Sequence, residues 1–392
     1  MPALSRASTL ALTGAGLALI AACYGLGRFA YGLFIPVFRD VFALDPAAAG
    51  LIASGSYAAY CVVILVATIL TPRFGGRAVA VAAGAIATAG TLLIALAPNT
   101  AMLAAGVVLA GSSTGVASPP LAHAVARAVA EPVRNRTQTI INAGTGVGVA
   151  IAGPIALLTT AQWRLAWLTF AVLSALVTLW VTAAVPAERA GRARVAPGRT
   201  PVLFPSPLFP AGSGRLMTAA VLIGLASSAT WTYGRDLLVT AGGMSAADST
   251  LVWILLGACG VLGAAAGSLA GRLGMAGAWR IGVVVLAAGT ALLAGFPGSL
   301  PIAAIAAGAF GAAYIALTGL LLIWGTEAYP RTPAAGVGLA FLLLAIGQAA
   351  GAPIVGAAVA TGDPRVVFAV AALVALSGIL IGPRRLRVDS KE

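Results

Sequence analysis

Twelve long apolar runs separated by short polar breaks organise the chain: 9–38, 47–70, 78–97, 101–123, 137–160, 164–185, 216–241, 247–270, 280–297, 300–323, 333–358 and 365–382. A run of about 18 or more apolar residues, wound as a helix, is long enough to cross the hydrocarbon core of a bilayer. The pattern predicts an all-α membrane protein with twelve transmembrane helices. One break is different in kind. Residues 186–215 carry Arg189, Arg192, Arg194, Arg199 and Arg215 among prolines and glycines, with no apolar periodicity, and read as a basic cytoplasmic linker. It separates an N-terminal six-helix bundle, 1–185, from a C-terminal one, 216–392, which ends in a short cytoplasmic tail.

Composition agrees with this reading. Only 8% of the 392 residues are charged, against about 25% in soluble domains. The formal net charge of +13 would suggest a nucleic-acid partner in a soluble protein. Here it sorts by topology. Assigning loops to alternate sides places 18 Lys and Arg residues on one side and three (Arg39, Arg164, Arg365) on the other, with Arg28 and Arg235 inside spans. The positive-inside rule then puts both termini in the cytoplasm of a bacterial inner membrane, and no nucleic acid is implied. Arg6, an apolar run and Cys23 imitate a lipoprotein signal, but the run continues past Cys23, so an uncleaved first span is the better reading. Cys23, Cys61 and Cys259 are isolated in apolar spans, and His123, the single histidine, stands at a helix end. No metal spacing, nucleotide-binding loop or nucleophile–base pair is visible. The expectation is a protein that is not an enzyme, uses no cofactor and acts as a monomer on a small molecule.

The two halves repeat one another. Arg73-Phe74-Gly75 is matched by Arg272-Leu273-Gly274, Gly153-Pro154 by Ala352-Pro353, and Arg164 by Arg365, at offsets of 199 to 201. Arg28 and Arg235 are offset by 207; a longer first outer loop, Arg39 to Pro46, is expected to absorb the difference. Both arginines follow a glycine and stand four residues after an aromatic, Tyr24 or Trp231. An arginine within a span costs about 2.5–3.5 kcal/mol on insertion scales, so a pair in matching positions suggests use. Snorkelling toward the nearer interface is the competing reading, stronger for Arg235.

Parallel six-helix repeats joined by a cytoplasmic linker resemble the major facilitator superfamily. Thr71-Pro72-Arg73-Phe74-Gly75-Gly76-Arg77 resembles its signature loop, with Pro72 near the place of the usual aspartate. The run from Asn142 through Gly144, Gly146, Gly148 and Gly153 to Pro154 resembles its antiporter-associated motif. Gly25-Leu26-Gly27-Arg28-Phe29-Ala30-Tyr31, together with that run, is similar to the bacterial YbfB/YjiJ-like branch. The resemblance implies a fold of two pseudo-symmetric six-helix bundles. It also implies a conformational role for Arg73, Gly75, Arg77, Gly144, Gly148, Gly153 and Pro154. Independently of it, Gly144, Gly148 and Gly153 leave a helix face that a neighbour can approach closely, either as static packing or as a rocking surface.

These observations predict a secondary active transporter moving a small organic anion, of carboxylate type, by alternating access. Arginine offers a fork of donors that suits a carboxylate. The expected substrate-binding residues are Arg28, Arg235, Tyr24, Tyr31, Trp231, Tyr57, Asn142, Tyr314 and Gln348, with both guanidinium groups facing one central cavity. Asp236 is the candidate for coupling to a proton. The alternative is a proton-coupled exporter of neutral or amphiphilic compounds, in which Arg28 is structural; a non-transporting receptor or scaffold is a third reading.

Overall fold

The computed structural model describes residues 5–159, 162–187, 209–210, 212–330 and 333–383. Most of the linker, including Arg189, Arg192, Arg194 and Arg199, lies outside the described residues, as do Arg331, Arg384, Arg385, Arg387 and Lys391. Among the described residues all regular structure is helical. The first six helices are α1 (Arg6–Phe42), α2 (Pro46–Phe74), α3 (Gly76–Ala95), α4 (Thr100–Ala128), α5 (Glu131–Leu158) and α6 (Trp163–Ala184). Then come α7 (Ser213–Thr240) and one continuous stretch, Ala246–Gly295, of 50 residues. At 1.5 Å per residue that stretch would be about 75 Å long, more than twice the hydrocarbon core. It is broken at Gly274, whose φ of 72° and ψ of 158° no helix contains. The chain therefore reverses there into α8 (246–273) and α9 (275–295). With α10 (Leu300–Ala328), α11 (Pro333–Thr361) and α12 (Pro364–Ile381) the crossings number twelve.

Gly75, which separates α2 from α3, has φ 84° and ψ 156°. The repeated Arg-x-Gly sequences thus make the same reversal, in a backbone region that glycine alone enters without strain. Other boundaries follow from capping. The Asp45 carboxylate accepts from the Ala48 amide ahead of Pro46 at the start of α2, and Asp363 accepts from the Arg365 amide around Pro364 at the start of α12. Asn99 and Ser245 cap α4 and α8 in the same way.

The first six helices meet the last six along three seams built on small residues. In α2 and α11, a Cβ on Gly50 would lie 2.5 Å from the Ala352 carbonyl oxygen, and the Ser54 hydroxyl donates to the Ala349 carbonyl. In α5 and α8, a Cβ on Gly257 would lie 2.4 Å from the Ala150 nitrogen. In α1 and α7, one on Gly32 would lie 2.1 Å from the Trp231 carbonyl oxygen. Backbones this close leave no room for larger side chains, which is how apolar helices gain dispersion energy where lipid offers no hydrophobic drive.

The α5 glycines divide between two neighbours. Gly144 and Gly148 face Leu17 and Ala21 of α1, within the first six helices. Gly146 and Gly153 face Gly257 and Ile254 of α8. The face of Gly144 and Gly148, read from sequence either as static packing or as a rocking surface, is buried inside one half; the seam between halves uses the other face of the same helix.

Candidate functional site

Arg28 sits where α1 departs from α-geometry. Residues Ala21–Phe29 form a π-helical segment containing Gly25 and Gly27, and insertions of this kind re-aim the side chains that follow. Gly25 lets α5 approach this segment closely, since a Cβ there would lie 2.2 Å from the carbonyl carbon of Gly148. The Arg28 side chain is directed inward and only 6% exposed. Its NH2 donates to Gln348 Oε1 on α11 at 2.8 Å, and its NH1 contacts Thr114 Oγ1 on α4 at 3.4 Å. The Gln348 amide in turn donates to the Tyr314 hydroxyl on α10 at 3.1 Å. The guanidinium carbon lies 4.4 Å from the Tyr57 ring centroid and 4.8 Å from that of Tyr60. Phe29 is at 5.4 Å and Tyr24 at 6.0 Å.

Two features give this cluster chemical potential. Arg28 has no carboxylate partner among the described residues. Its Nε is buried with no acceptor, and so is Trp231 Nε1. Both residues line a cavity of about 10 Å³ together with Phe29, Tyr31, Tyr57 and Thr232, roughly the room one water needs. A buried ion retains a penalty of several kcal/mol even after relaxation. Four cation–π contacts, at about 0.5–2 kcal/mol each, and two hydrogen bonds to neutral groups offset part of it. The guanidinium has no carboxylate counter-charge among the described residues.

Arg235 does not belong to this cluster. It is as buried as Arg28, at 6% exposure, so it does not snorkel, yet its donors are engaged. NH1 donates to the Leu33 carbonyl on α1 at 2.6 Å, Nε to Ser249 Oγ and NH2 to the Ala246 carbonyl, both at the start of α8. Pro36 has no N–H to donate to the Gly32 carbonyl, so the α1 ladder is already interrupted one residue before Leu33. Arg235 lines a second cavity, with Trp253, Leu256 and Leu293, that shares no residue with the first. The expectation of two guanidinium groups in one cavity fails because the arginines are at different depths. Fourteen helical residues follow Arg28 before α1 ends at Phe42, and five follow Arg235 before α7 ends at Thr240. The loops after them span 43–45 and 241–245, so the extra residues of the first half are helix, not loop. Contacts between the two helices pair Phe29 with Trp231 and Leu33 with Arg235. Arg235 therefore stands level with Leu33, five residues or about 7.5 Å beyond Arg28.

Trp231 is likewise displaced from its expected place beside Arg235. It stacks on Phe29 with ring centroids 4.0 Å apart, and is edge-on to Trp253, Phe310 and Tyr314 at 6.1, 5.8 and 5.2 Å. It lines the Arg28 cavity. Tyr31 lines that cavity too, while its hydroxyl donates to the Ala49 carbonyl. Tyr24 approaches Arg28 less closely than the α2 rings do, and its hydroxyl bonds to Ser118. Asn142 is not drawn in. Its carbonyl oxygen accepts from Gln138 one turn earlier on α5, at 3.4 Å. Tyr60 and Thr114 join the site although sequence did not select them. Tyr60 is three residues after Tyr57 and shares its helix face; Thr114 carries no such signal.

Asp236 is the only buried carboxylate among the described residues. Its partner is Arg39 on α1, at 2.6 Å, and not the neighbouring Arg235. Tyr233 donates to the Pro46 carbonyl at 2.6 Å. Three nearly consecutive residues of α7 thus clasp the segment from Leu33 to Pro46. Of the motif residues, Arg77 donates to the Val185 carbonyl at 2.6 Å and caps α6, whereas Arg73 is exposed at the end of α2.

Comparison with known proteins fits this architecture. A mutant form of the nucleoside transporter NupG superposes with a TM-score of 0.76 at 14% identity, over 95% of this chain and 98% of that one. A bacterial homologue of the human lysosomal transporter Spinster, inward-facing and unoccupied, gives 0.73 at 16% identity, over 96% and 95%. Identities this low speak for the fold alone. The transcription regulatory protein OpdE of Pseudomonas aeruginosa is 28% identical over 173 residues, 44% of this chain, which spans less than half (43%) of that relative's length. The family model of the Major Facilitator Superfamily matches residues 17–352, and the chain belongs to that superfamily of membrane transporters.

Proposed function

We propose that the protein is a secondary active carrier of a small organic anion of carboxylate type. The observation that carries this reading is the buried guanidinium of Arg28, without a counter-charge and with an unpartnered Nε, at a cavity where helices of both halves meet. A carboxylate is the complement of such a donor edge. Residues 1–185 rock against 216–392 on the α2–α11, α5–α8 and α1–α7 seams, with 186–215 as the linker between them. The charge asymmetry of the loops supports a bacterial inner-membrane location with cytoplasmic termini. The clasp at Arg39 and Asp236 then lies at the outer face. Asp236, the one buried carboxylate among the described residues, is the coupling candidate for a proton. The YbfB/YjiJ-like motif around Arg28 supports placement in that branch and adds no substrate.

The test is substrate binding and flux with purified protein. Carboxylates should raise the melting temperature, neutral and cationic compounds should not, and Arg28→Gln should abolish the shift. Arg28→Lys keeps the charge, loses the bidentate geometry and should weaken binding without removing it. Stabilisation by neutral compounds alone, undiminished in Arg28→Gln, would point instead to the neutral-compound exporter. The Pseudomonas relative bears the name of a transcription regulatory protein, and a receptor that binds without transporting is the remaining alternative. Accumulation of a labelled carboxylate in proteoliposomes excludes binding without transport.

A further inference from the structure

The Arg28 cavity has one cation and an unusual density of rings. Phe29 and Tyr57 come from the first half, Trp231 from the second, and Phe310 and Tyr314 stand behind Trp231. The only other buried arginine near the α1–α7 seam, Arg235, has all three nitrogens engaged in a different cavity, and Arg39 is paired with Asp236. A second carboxylate on the ligand would therefore be desolvated with no charge to meet it, which is costly. The ligand carries one negative charge.

The position of the rings restricts the rest of the molecule. Phe29 follows Arg28 directly, and its stack on Trp231 at 4.0 Å joins the two halves across α1 and α7. Nothing larger than a water fits between cation and rings in this state. A planar ring entering the stack would need the halves to part there by about 3.5–4 Å, one contact distance. It would then replace the Phe29–Trp231 contact with two stacked contacts, while its carboxylate meets Arg28 Nε. The Trp231 N–H, also buried without a partner, is a second donor at the same cavity.

Resting on the anion reading above, we propose that this site recognises a monoanionic aryl carboxylate, with the carboxylate on Arg28 and the ring inserted between Phe29 and Trp231. Phe29 and Trp231 are then specificity-determining residues. An alkyl acid of equal charge would satisfy Arg28 and leave the slot unfilled. Aromatic stacking adds about 0.5–1.5 kcal/mol per pair beyond area burial; two pairs formed for the one lost leave a net gain of one, about two- to twelvefold in affinity, and burial of the apolar ring face adds to it.

The experiment is calorimetric titration of the full-length protein in nanodiscs with benzoate, acetate, terephthalate and benzamide. Benzoate should bind at least tenfold more tightly than acetate, terephthalate no better than benzoate, and benzamide not measurably. Trp231→Phe should keep the preference for benzoate over acetate, and Trp231→Ala should erase it, benzoate falling to the affinity of acetate. Phe29→Leu gives the same test from the other side of the slot if Trp231→Ala does not fold, and the wild-type series needs no variant. Equal binding of benzoate and acetate, or no benzoate binding, overturns the ring slot; with acetate still bound, the anion reading stands. Tighter binding of terephthalate overturns the single-charge inference. Benzamide binding as well as benzoate overturns the anion reading itself.

Discussion

Removing either end of the Arg39–Asp236 pair should have unequal effects, because the two ends are unequally buried. The Asp236 side chain is 3% exposed and that of Arg39 26%, with nitrogen and oxygen 2.6 Å apart. Asp236 Oδ1 is already buried without a partner. In Arg39→Ala the carboxylate loses its ion-pair partner while remaining enclosed by α1 and α7. Breaking a fully buried pair from one side costs about 3–5 kcal/mol; water entering the space left by a quarter-exposed side chain should reduce this to about 2 kcal/mol. In Asp236→Ala the arginine can turn toward solvent, and the cost should be about 1 kcal/mol or less. At 1.4 kcal/mol per factor of ten, Arg39→Ala should favour opening of this face about 30-fold. Hydrogen exchange of the amides in 37–45 and 236–245, read by mass spectrometry, measures that opening. The double variant should exchange like Asp236→Ala, not like the sum, giving a coupling of about 2 kcal/mol. Equal single effects that add in the double variant would refute the claim that the pair holds the two halves together there.

The two buried arginines should respond to substitution in opposite ways. Arg235→Gln breaks three hydrogen bonds and exposes the Leu33 carbonyl, so thermal unfolding should reveal a loss of about 2–3 kcal/mol, with carboxylate affinity of the folded fraction within threefold. Arg28→Gln removes an uncompensated buried charge, so the melting temperature should hold or rise while carboxylate binding disappears. Gly25→Ala forces its Cβ to within 2.2 Å of backbone on α5 and should prevent folding, as judged by size-exclusion chromatography. Gly214→Ala, with nothing within 4 Å of the added carbon, should fold normally. At Gly274, φ 72° makes alanine cost about 1 kcal/mol, readable as a lower melting temperature.

Much of the fold was legible because membrane spans announce themselves one at a time. Each needs only its own apolar length, and each boundary has a local cause. Asp45-Pro46 and Asp363-Pro364 start helices, and Gly75 and Gly274 reverse the chain. None of these depends on a distant partner. At the α8–α9 junction Arg272 and Arg280 mark the break and Gly274 makes the turn, although helix continues on both sides of it. The roles of Gly144 and Gly146 could not be separated in the same way. Both are small and two residues apart, and only the positions of α1 and α8 decide that one packs within a half and the other between halves.

The candidate site shows where local reasoning ends. Gly-Arg with an aromatic four residues before it describes Arg28 and Arg235 equally well, yet one is left with an open donor and the other is engaged. The difference is in the neighbours. The Leu33 carbonyl, one residue after the ladder is interrupted by Pro36, and the first turn of α8, with Ser249 and the Ala246 carbonyl, give the Arg235 guanidinium neutral acceptors around its whole edge. Around Arg28 the corresponding positions are held by rings, which attract a cation through their faces but accept no hydrogen bond from Nε. Gln348 supplies one acceptor, and it does so from the other half of the molecule. A ligand carboxylate competing for the same guanidinium would therefore act on a contact between the halves. Such a ligand would couple occupancy of the site to the relative position of α1 and α11, which the Arg28–Gln348 contact joins. Sequence can show that an arginine is inside a span; whether it is a strut or a receptor is decided by which carbonyls the fold leaves within its reach.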